Sequence, residues 1–452
     1  MSDQAVEKQQ WGSAFGFIVT SVGYAVGLGA IWKFPYMIGM NGGGVFLLVC
    51  VIFCIIIAIP LAWTELTIGR YTQKSQIMAM RELGGKGSVW VLAGWLGAAA
   101  CTVMVGYYIT IVSDVMFYIF KFASGGLKGM SVEETAAYYG ALQTDMGFKF
   151  ITVIILYALT FIVIIGGVQK GLERANKVLI PALFIFLVVM AIRGLMLPGG
   201  IDAVVWMFTP DFSKLDTSVL MAGLNQCFFL AGVGLASLVS FGSYLDRENS
   251  DIPFSGTVII LSNIVVAMLA GVAIFTGLFT YDMELASGSG LTFMTMPYVF
   301  EMMPGGTFIG TLFFVLLFAA GWSSVLGLYE GSISVISEAI GWTRKKGVCI
   351  MTVVMFLLSV PTILSTTAWA NVKVLGMDLF TFSDFLAILI LLPLSVIITS
   401  IFVATKFWDT YLEHSSVGAK YFKVPKFLKP WYMIVLPAIT ALVIVVGVAS
   451  YF

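Results

Sequence analysis

The chain has 452 residues, with 24 lysines and arginines balanced by 24 aspartates and glutamates, and 60% of it is hydrophobic against 11% charged. A water-soluble domain of this length could not hide so much apolar surface, so the composition points to a protein whose solvent is the lipid bilayer. The zero net charge gives no electrostatic case for a nucleic-acid partner.

The first ten residues, Met1 to Gln10, are polar, carry Asp3 and Glu7 and do not read as a cleavable signal peptide. The first apolar segment must then direct insertion. Hydropathy predicts eleven spans, roughly 12–37, 42–68, 88–120, 150–168, 177–198, 218–242, 254–280, 305–337, 347–365, 380–405 and 431–451, with no appended soluble domain. Several exceed the ~20 residues needed to cross, which implies tilt or extension beyond the bilayer. With the N-terminus cytoplasmic, seventeen lysines and arginines fall on inner segments and six on outer ones, with Lys33 near the outer end of span 1. By the positive-inside rule that asymmetry sets the orientation and leaves the C-terminus extracytoplasmic. The long outer segments 121–149, 199–217 and 281–304 read equally as lids or as solvated connectors. Cys50, Cys54, Cys101, Cys227 and Cys349 lie in or beside apolar runs, without disulfide or metal spacing. The lone His414 reads as a surface residue of an inner loop. No nucleophile–base set suggests an enzyme, and no feature indicates an oligomeric state.

Two spans are interrupted by glycine. Span 1 contains Gly23-Tyr24-Ala25-Val26-Gly27-Leu28-Gly29-Ala30, and span 6 contains Phe228-Phe229-Leu230-Ala231-Gly232-Val233-Gly234. Unpaired backbone groups cost several kcal/mol in hydrocarbon, so unwinding is tolerated only where it faces protein or a ligand. Matched interruptions in two halves of a chain point to a transporter's substrate and ion site. The same glycines also suit two helices that merely pack closely.

The run from Gly23 through Trp32-Lys33-Phe34-Pro35-Tyr36, followed by Asn41-Gly42-Gly43-Gly44, resembles the neurotransmitter:sodium symporter family. Further matching positions are Glu65 to Tyr71, Tyr107-Tyr108, Gln226 to Phe229, Tyr244, Asn263 and Ala320 to Ser324. The resemblance implies an all-α membrane protein of the leucine-transporter fold. Spans 1–5 (12–198) and 6–10 (218–405) would be inverted repeats, with an extra span at 431–451, as in bacterial eleven-helix members.

The N–H groups of Leu28 and Gly29 begin a half-helix whose positive end suits a substrate carboxylate. The resemblance adds the Tyr108 hydroxyl to that carboxylate and gives the ammonium to carbonyls near Phe229 and Leu230, with Phe229 as an aromatic lid. Ala25 and Phe228 at the breaks, together with Met104, Gly232, Leu235, Trp322 and Leu328, complete the implied pocket. Its apolar character fits a hydrophobic L-amino acid. Gly27 stands where monoamine carriers of the family have aspartate, and Gly232 where relatives often have serine, which leaves room for an aromatic side chain.

A dehydrated alkali cation wants about five or six oxygens. The resemblance supplies these between spans 1 and 8, from the carbonyls of Gly23, Val26 and Ala320 and the hydroxyls of Ser323 and Ser324. A second, substrate-adjacent sodium site keeps Ala25, Leu230 and Asn263, but Ala30 and Leu230 replace oxygen-bearing side chains, so that site reads as degenerate. No chloride is expected: Gln226 matches, while Cys50, Leu230 and Ala267 replace the anion's hydroxyl ligands.

The resemblance further implies an outer gate of Lys33 with Asp384 and an inner latch of Lys8, Trp11, Tyr244 and Glu338. Gly171 and Pro181 bracket nine residues of span 5 that would unwind to admit water. The function these features imply is sodium-coupled symport of hydrophobic amino acids by alternating access. The alternatives are a proton-coupled or uncoupled carrier on the same fold and a non-transporting amino-acid sensor.

Overall fold

The computed structural model describes residues 10–85, 87–283, 290–302, 305–449 and 451. Lys8 of the expected latch and part of segment 281–304 lie outside the described residues. Among those residues the only β pairings are two isolated bridges, Gly43↔Pro210 and Val374↔Met377.

Span 2 runs Gly44–Thr72, span 3 Val91–Ala123, span 4 Met146–Ile165, span 5 Val168–Leu195 and span 7 Ile252–Thr280. Span 8 is Gly306–Ile340, span 9 Arg344–Leu364, span 10 Leu379–Ser416 and span 11 Lys426–Ala449. Span 1 is a broken pair, Ala14–Ala25 and Gly29–Met40, bent by 56°. Span 6 is likewise split, into Thr217–Ala231 and Ser237–Ser243, neither long enough to cross alone. Both breaks fall at the glycine runs.

Two spans start or end away from their hydropathic limits. Span 5 begins at Val168 rather than near 177, because Leu172, Glu173 and Asn176, polar or charged among them, are buried. Hydropathy reads such a face as loop, whereas it is packed helix. The segment between Gly171 and Pro181 is wound in this structure, as a π-turn Val168–Glu173 followed by α-helix Arg174–Leu195. Span 10 continues past 405 because Phe407, Trp408 and Tyr411 keep one face buried.

Four widened π-turns, Gly29–Lys33, Cys54–Ala58, Phe385–Leu391 and Trp431–Val435, each end two residues before a proline: Pro35, Pro60, Pro393 and Pro437. Proline has no N–H and crowds the carbonyl one turn back, so the preceding turn opens by one residue instead of breaking.

All three long segments, 121–149, 199–217 and 281–304, carry helices of their own, the last at Leu291–Thr295 and Met296–Met302. Val132–Thr144 is closed by a capping box between Ser131 and Glu134, and Gly200–Phe208 lies in segment 199–217. Tyr139 stacks on Phe293 with ring centroids 4.8 Å apart, and Phe293 meets Trp32 edge-on. Segment 121–149 is therefore packed on Phe293, which in turn meets Trp32 of span 1, rather than being a loose connector. At the centre, spans 3 and 8 make the most extensive helix contact. The most apolar stretch of span 8 is 72% buried and that of span 11 only 28%, which puts span 11 at the periphery.

Candidate substrate and ion site

The first half of span 1 ends at Ala25, and Val26 leaves helical geometry with ψ 86°. The amide of Leu28, freed by the break, donates to the Tyr108 hydroxyl at 2.6 Å. Tyr108 is also hydrogen-bonded to Ser324. A Cβ on Gly27 would lie 2.7 Å from the Tyr108 oxygen and 2.9 Å from Ser324 Oγ. Glycine there is what lets span 3 reach the broken backbone.

In span 6 the chain turns through Gly232, Gly234 and Ala236 with φ of 62°, 82° and 62°. Ala236 holds this left-handed conformation against a cost of roughly 1–2 kcal/mol. The freed groups find partners one by one. Gly232 O accepts from Tyr24 Oη at 2.5 Å, Gly234 N donates to Glu65 Oε1 at 2.5 Å, and Leu235 O accepts from Cys101 Sγ at 2.7 Å. Leu230 O accepts from Asn263 Nδ2. Unwinding is thus compensated by side chains of four other spans, as the apolar surroundings require.

Between the breaks lies a cavity of about 30 Å³, lined by Ala25, Gly29, Met104, Tyr108, Phe229, Leu230, Gly232, Leu235 and Leu328, with Tyr24 and Ser324. That is room for a water or two, so the pocket is closed down. Phe229 closes it: a Cβ on Gly29 would overlap the ring. A second cavity of about 170 Å³ lies beyond Phe229, lined by Leu28, Trp32, Lys33, Tyr107, Phe380 and Asp384 among others.

Three expected assignments differ. Lys33 and Asp384 line the same cavity but are not paired: Lys33 Nζ sits 4.3 Å from the Phe229 ring centroid, and Asp384 accepts from Tyr107 Oη at 2.8 Å. A lysine without the arginine fork takes the ring face instead of the distant carboxylate. Trp322 does not reach the pocket; its Nε1 donates to Thr160 Oγ1 at 3.0 Å and its ring stacks on Phe318. Phe228 is buried, but it does not line the cavity.

Between spans 1 and 8, the Gly23 carbonyl accepts from Ser323 Oγ at 2.9 Å and Ser324 Oγ at 3.1 Å. Ser323 also donates to Ala320 O at 2.8 Å, and Ser324 to Tyr24 O at 2.9 Å. This is a cluster of neutral oxygens whose hydroxyls can turn lone pairs inward, a donor set that fits an alkali cation. The Tyr24 carbonyl thus joins the same cluster of oxygens. Nearer the pocket, Asn263 Nδ2 donates to Ala25 O at 3.0 Å and to Leu230 O, while its Oδ1 is buried without a partner. Turning this amide over would bring three oxygens together, with no side-chain oxygen at Ala30 or Leu230 to add a fourth. Cys50 and Ala267 are buried, and Gln226 Nε2 has no hydrogen-bond partner.

At the opposite end, Trp11 Nε1 donates to Phe241 O at 2.9 Å and its ring lies 6.0 Å from that of Tyr244. Tyr244 Oη donates to Glu330 Oε1 at 2.9 Å, and Arg344 grips both oxygens of Glu330 at 2.8 and 2.7 Å. The carboxylate facing Tyr244 is therefore Glu330, not Glu338. Glu338 is exposed and accepts from Ser75 N at 2.7 Å. His414 is half-buried, its ring 4.3 Å from that of Tyr71.

The description of the matching family model is the sodium:neurotransmitter symporter family, over residues 8–143 and 139–452. The chain belongs to this family. It is 33% identical to an uncharacterized sodium-dependent transporter of Bacillus subtilis (strain 168), YhdH, over the full length of both. An uncharacterized sodium-dependent transporter of Haemophilus influenzae is 31% identical, again over both full lengths. Among solved structures it is similar to MhsT in complex with L-phenylalanine, with TM-score 0.87, 31% identity, 98% of this chain covered and 100% of the other. The protein is thus a sodium-dependent transporter of the leucine-transporter fold, and not an enzyme.

Sequence reading assigned no partner to Tyr24, Glu65, Glu330, Arg344 or Glu173. Three of them had a signal. Glu65 and Glu330 are acids inside spans, where an ionisable residue signals function or a buried partner. Tyr24 is the aromatic just before the first break, and its partner carbonyl lies in the second.

Proposed function

We propose that the symporter carries a hydrophobic L-amino acid together with sodium. The observation that carries this reading is the Tyr108 hydroxyl on the Leu28 amide, at the mouth of an otherwise apolar cavity. A substrate carboxylate would take both donors, the amide at the positive end of a half-helix and the hydroxyl. The side chain would then lie toward Met104, Gly232, Leu235 and Leu328. Gly232 brings no side chain to the cavity, and a Cβ there would lie 2.9 Å from the Tyr24 ring; with the serine of related carriers absent, aromatic as well as aliphatic substrates are proposed. Admission requires Phe229 to swing away from Gly29 and Lys33 to follow it.

In this reading one sodium ion sits among the carbonyls of Gly23, Val26 and Ala320 and the hydroxyls of Ser323 and Ser324, with the Tyr24 carbonyl beside them. It ties the first half of span 1 to span 8. The Ala25–Leu230–Asn263 set holds a second ion weakly or not at all, and chloride has no role. The Lys33 end faces outward and the Trp11 end faces the cytoplasm, following the charge asymmetry of the loops. Uptake of labelled amino acids into proteoliposomes tests the proposal. A sodium gradient should drive accumulation of leucine-like or phenylalanine-like substrates and a choline gradient should not. Uptake in choline driven by a pH gradient would favour the proton-coupled alternative.

A further inference from the structure

The short helix Gly200–Phe208 leaves an apolar face uncovered at the Lys33 end of the bundle. Ile201, Val205 and Phe208 recur at four- and three-residue spacing and are exposed, whereas Ala203 and Met207 are buried against the protein. A helix that is apolar on its free side lies along the boundary between lipid headgroups and acyl chains.

Beside that helix is a cavity of about 330 Å³, separate from the substrate and ion sites and walled by Trp206, Phe275, Phe279, Asp282 and Met283 among others. The Trp206 ring meets Phe275 edge-on with centroids 4.9 Å apart and lies 5.5 Å from Phe279 at 48°. A Cβ on Gly43 would lie 3.0 Å from the same indole, so Trp206 is wedged between the start of span 2 and the end of span 7. Phe275 is buried and Phe279 is exposed.

Asp282 gives this aromatic cavity a sign. Span 7 ends at Thr280, and the chain closes it with Tyr281 N donating to Gly277 O at 3.1 Å and Met283 N to Leu278 O at 3.0 Å. Asp282 sits inside that closure with φ 49°, in the left-handed region. Its carboxylate therefore stands where the last carbonyls of a 29-residue helix already gather partial negative charge, the less favourable end for an anion. Among the described residues Asp282 has no ion pair, and Lys214 of the neighbouring segment is taken by Asp211 at 3.8 Å. A cation in the cavity would meet the carboxylate, the helix end and the electron-rich faces of the rings together.

We propose that this cavity binds the ammonium of a zwitterionic phospholipid headgroup, of the ethanolamine or choline type. Asp282 neutralises the charge, Trp206 and Phe279 flank it, and Ile201, Val205 and Phe208 lie among the acyl chains of the same leaflet. The lipid is the source because the cavity opens beside an apolar helix face that only a bilayer would cover. The site involves neither the substrate pocket nor the oxygens around Gly23, so it stands or falls apart from the carrier reading above.

The test is lipid binding to the purified full-length protein in detergent micelles, followed by native mass spectrometry with dioleoyl phosphatidylethanolamine or dioleoyl phosphatidylglycerol. The parent should hold its tightest ethanolamine lipid roughly fivefold more strongly than the glycerol lipid. Asp282→Asn removes the charge alone, since asparagine accepts the left-handed conformation as readily, and should bring the two lipids within about twofold. Phe279→Leu keeps an apolar wall without a ring face and should weaken the ethanolamine lipid roughly threefold while leaving the glycerol lipid unchanged. Thermal unfolding measured alongside shows that each variant is folded, and the exposed Asp282 position decides if Phe279→Leu is not. A parent without preference, or an Asp282→Asn variant that keeps the parent's preference, would overturn the proposal. Displacement of the lipid by an equal concentration of free choline or ethanolamine would also overturn it, by showing a water-borne ligand.

Discussion

Lys33 Nζ stands 4.3 Å from the ring centroid of Phe229, and that ring lies against Gly29, where no side chain would fit. The cation of the larger cavity thus rests on the ring that bounds the smaller one. A desolvated cation over an aromatic face is worth roughly 0.5–2 kcal/mol. It lets Lys33 stabilise closure without touching Asp384, which Tyr107 holds.

If that pairing stabilises closure, Lys33 and Phe229 must be coupled in substrate binding. Phe229→Leu keeps an apolar plug but removes the ring, and Lys33→Gln removes the charge. A double-mutant cycle on substrate affinity should give a coupling of about 0.5–1 kcal/mol. Strictly additive losses would mean that the contact does not contribute to the closed state.

Ser323→Ala with Ser324→Ala removes two oxygens from the cluster around Gly23 while leaving the helix intact. Sodium-dependent substrate binding should fall at least tenfold, about 1.4 kcal/mol. Thermal stabilisation by sodium in the presence of substrate reports this, because ligand binding to the folded state raises apparent stability. A variant that keeps the parent's sodium response would show that the ion binds elsewhere.

Replacing chloride by gluconate should leave uptake unchanged. Cys50, Leu230 and Ala267 bring no hydroxyl to the junction of spans 2, 6 and 7, and a thiol is a poor anion donor. Uptake that collapses in gluconate and recovers with added chloride would refute this.

Asn263 bears on stoichiometry. Its amide donates to Ala25 O and Leu230 O, and besides a substrate carboxylate the site offers those two carbonyls and the Asn263 amide oxygen. Labelled sodium moved per substrate in proteoliposomes should be near one, with a Hill coefficient near one. Ala30→Asn with Leu230→Thr supplies the two absent oxygens and should raise the ratio, provided the buried Ala30 position admits the larger side chain. Two ions per substrate in the unaltered protein would defeat the prediction.

Among the described residues, the nine long apolar helices, the broken first span and the two breaks were legible in the sequence, because each rests on a local rule. Twenty apolar residues need a bilayer and glycine runs cannot sustain a helix in it, while the Tyr107-Tyr108 and Ser323-Ser324 pairs were singled out by the family resemblance. The start of span 5 was not legible, because Leu172, Glu173 and Asn176 look like loop until span 1 is seen to bury them.

Which charge meets which was decided only by the tertiary structure. The resemblance pairs Lys33 with Asp384, yet the Lys33 ammonium over Phe229 and a tyrosine beside Asp384 divide them. Glu330 and Glu338 lie two turns apart on one helix, and only the placement of Arg344 and Ser75 assigns the first to Tyr244 and the second to a helix cap. Hydropathy and backbone propensity are sums over neighbours in the chain, so the sequence determines where the membrane is crossed and where it is interrupted. A hydrogen bond depends on a few tenths of an ångström between residues hundreds of positions apart, and that distance exists only once the helices have packed.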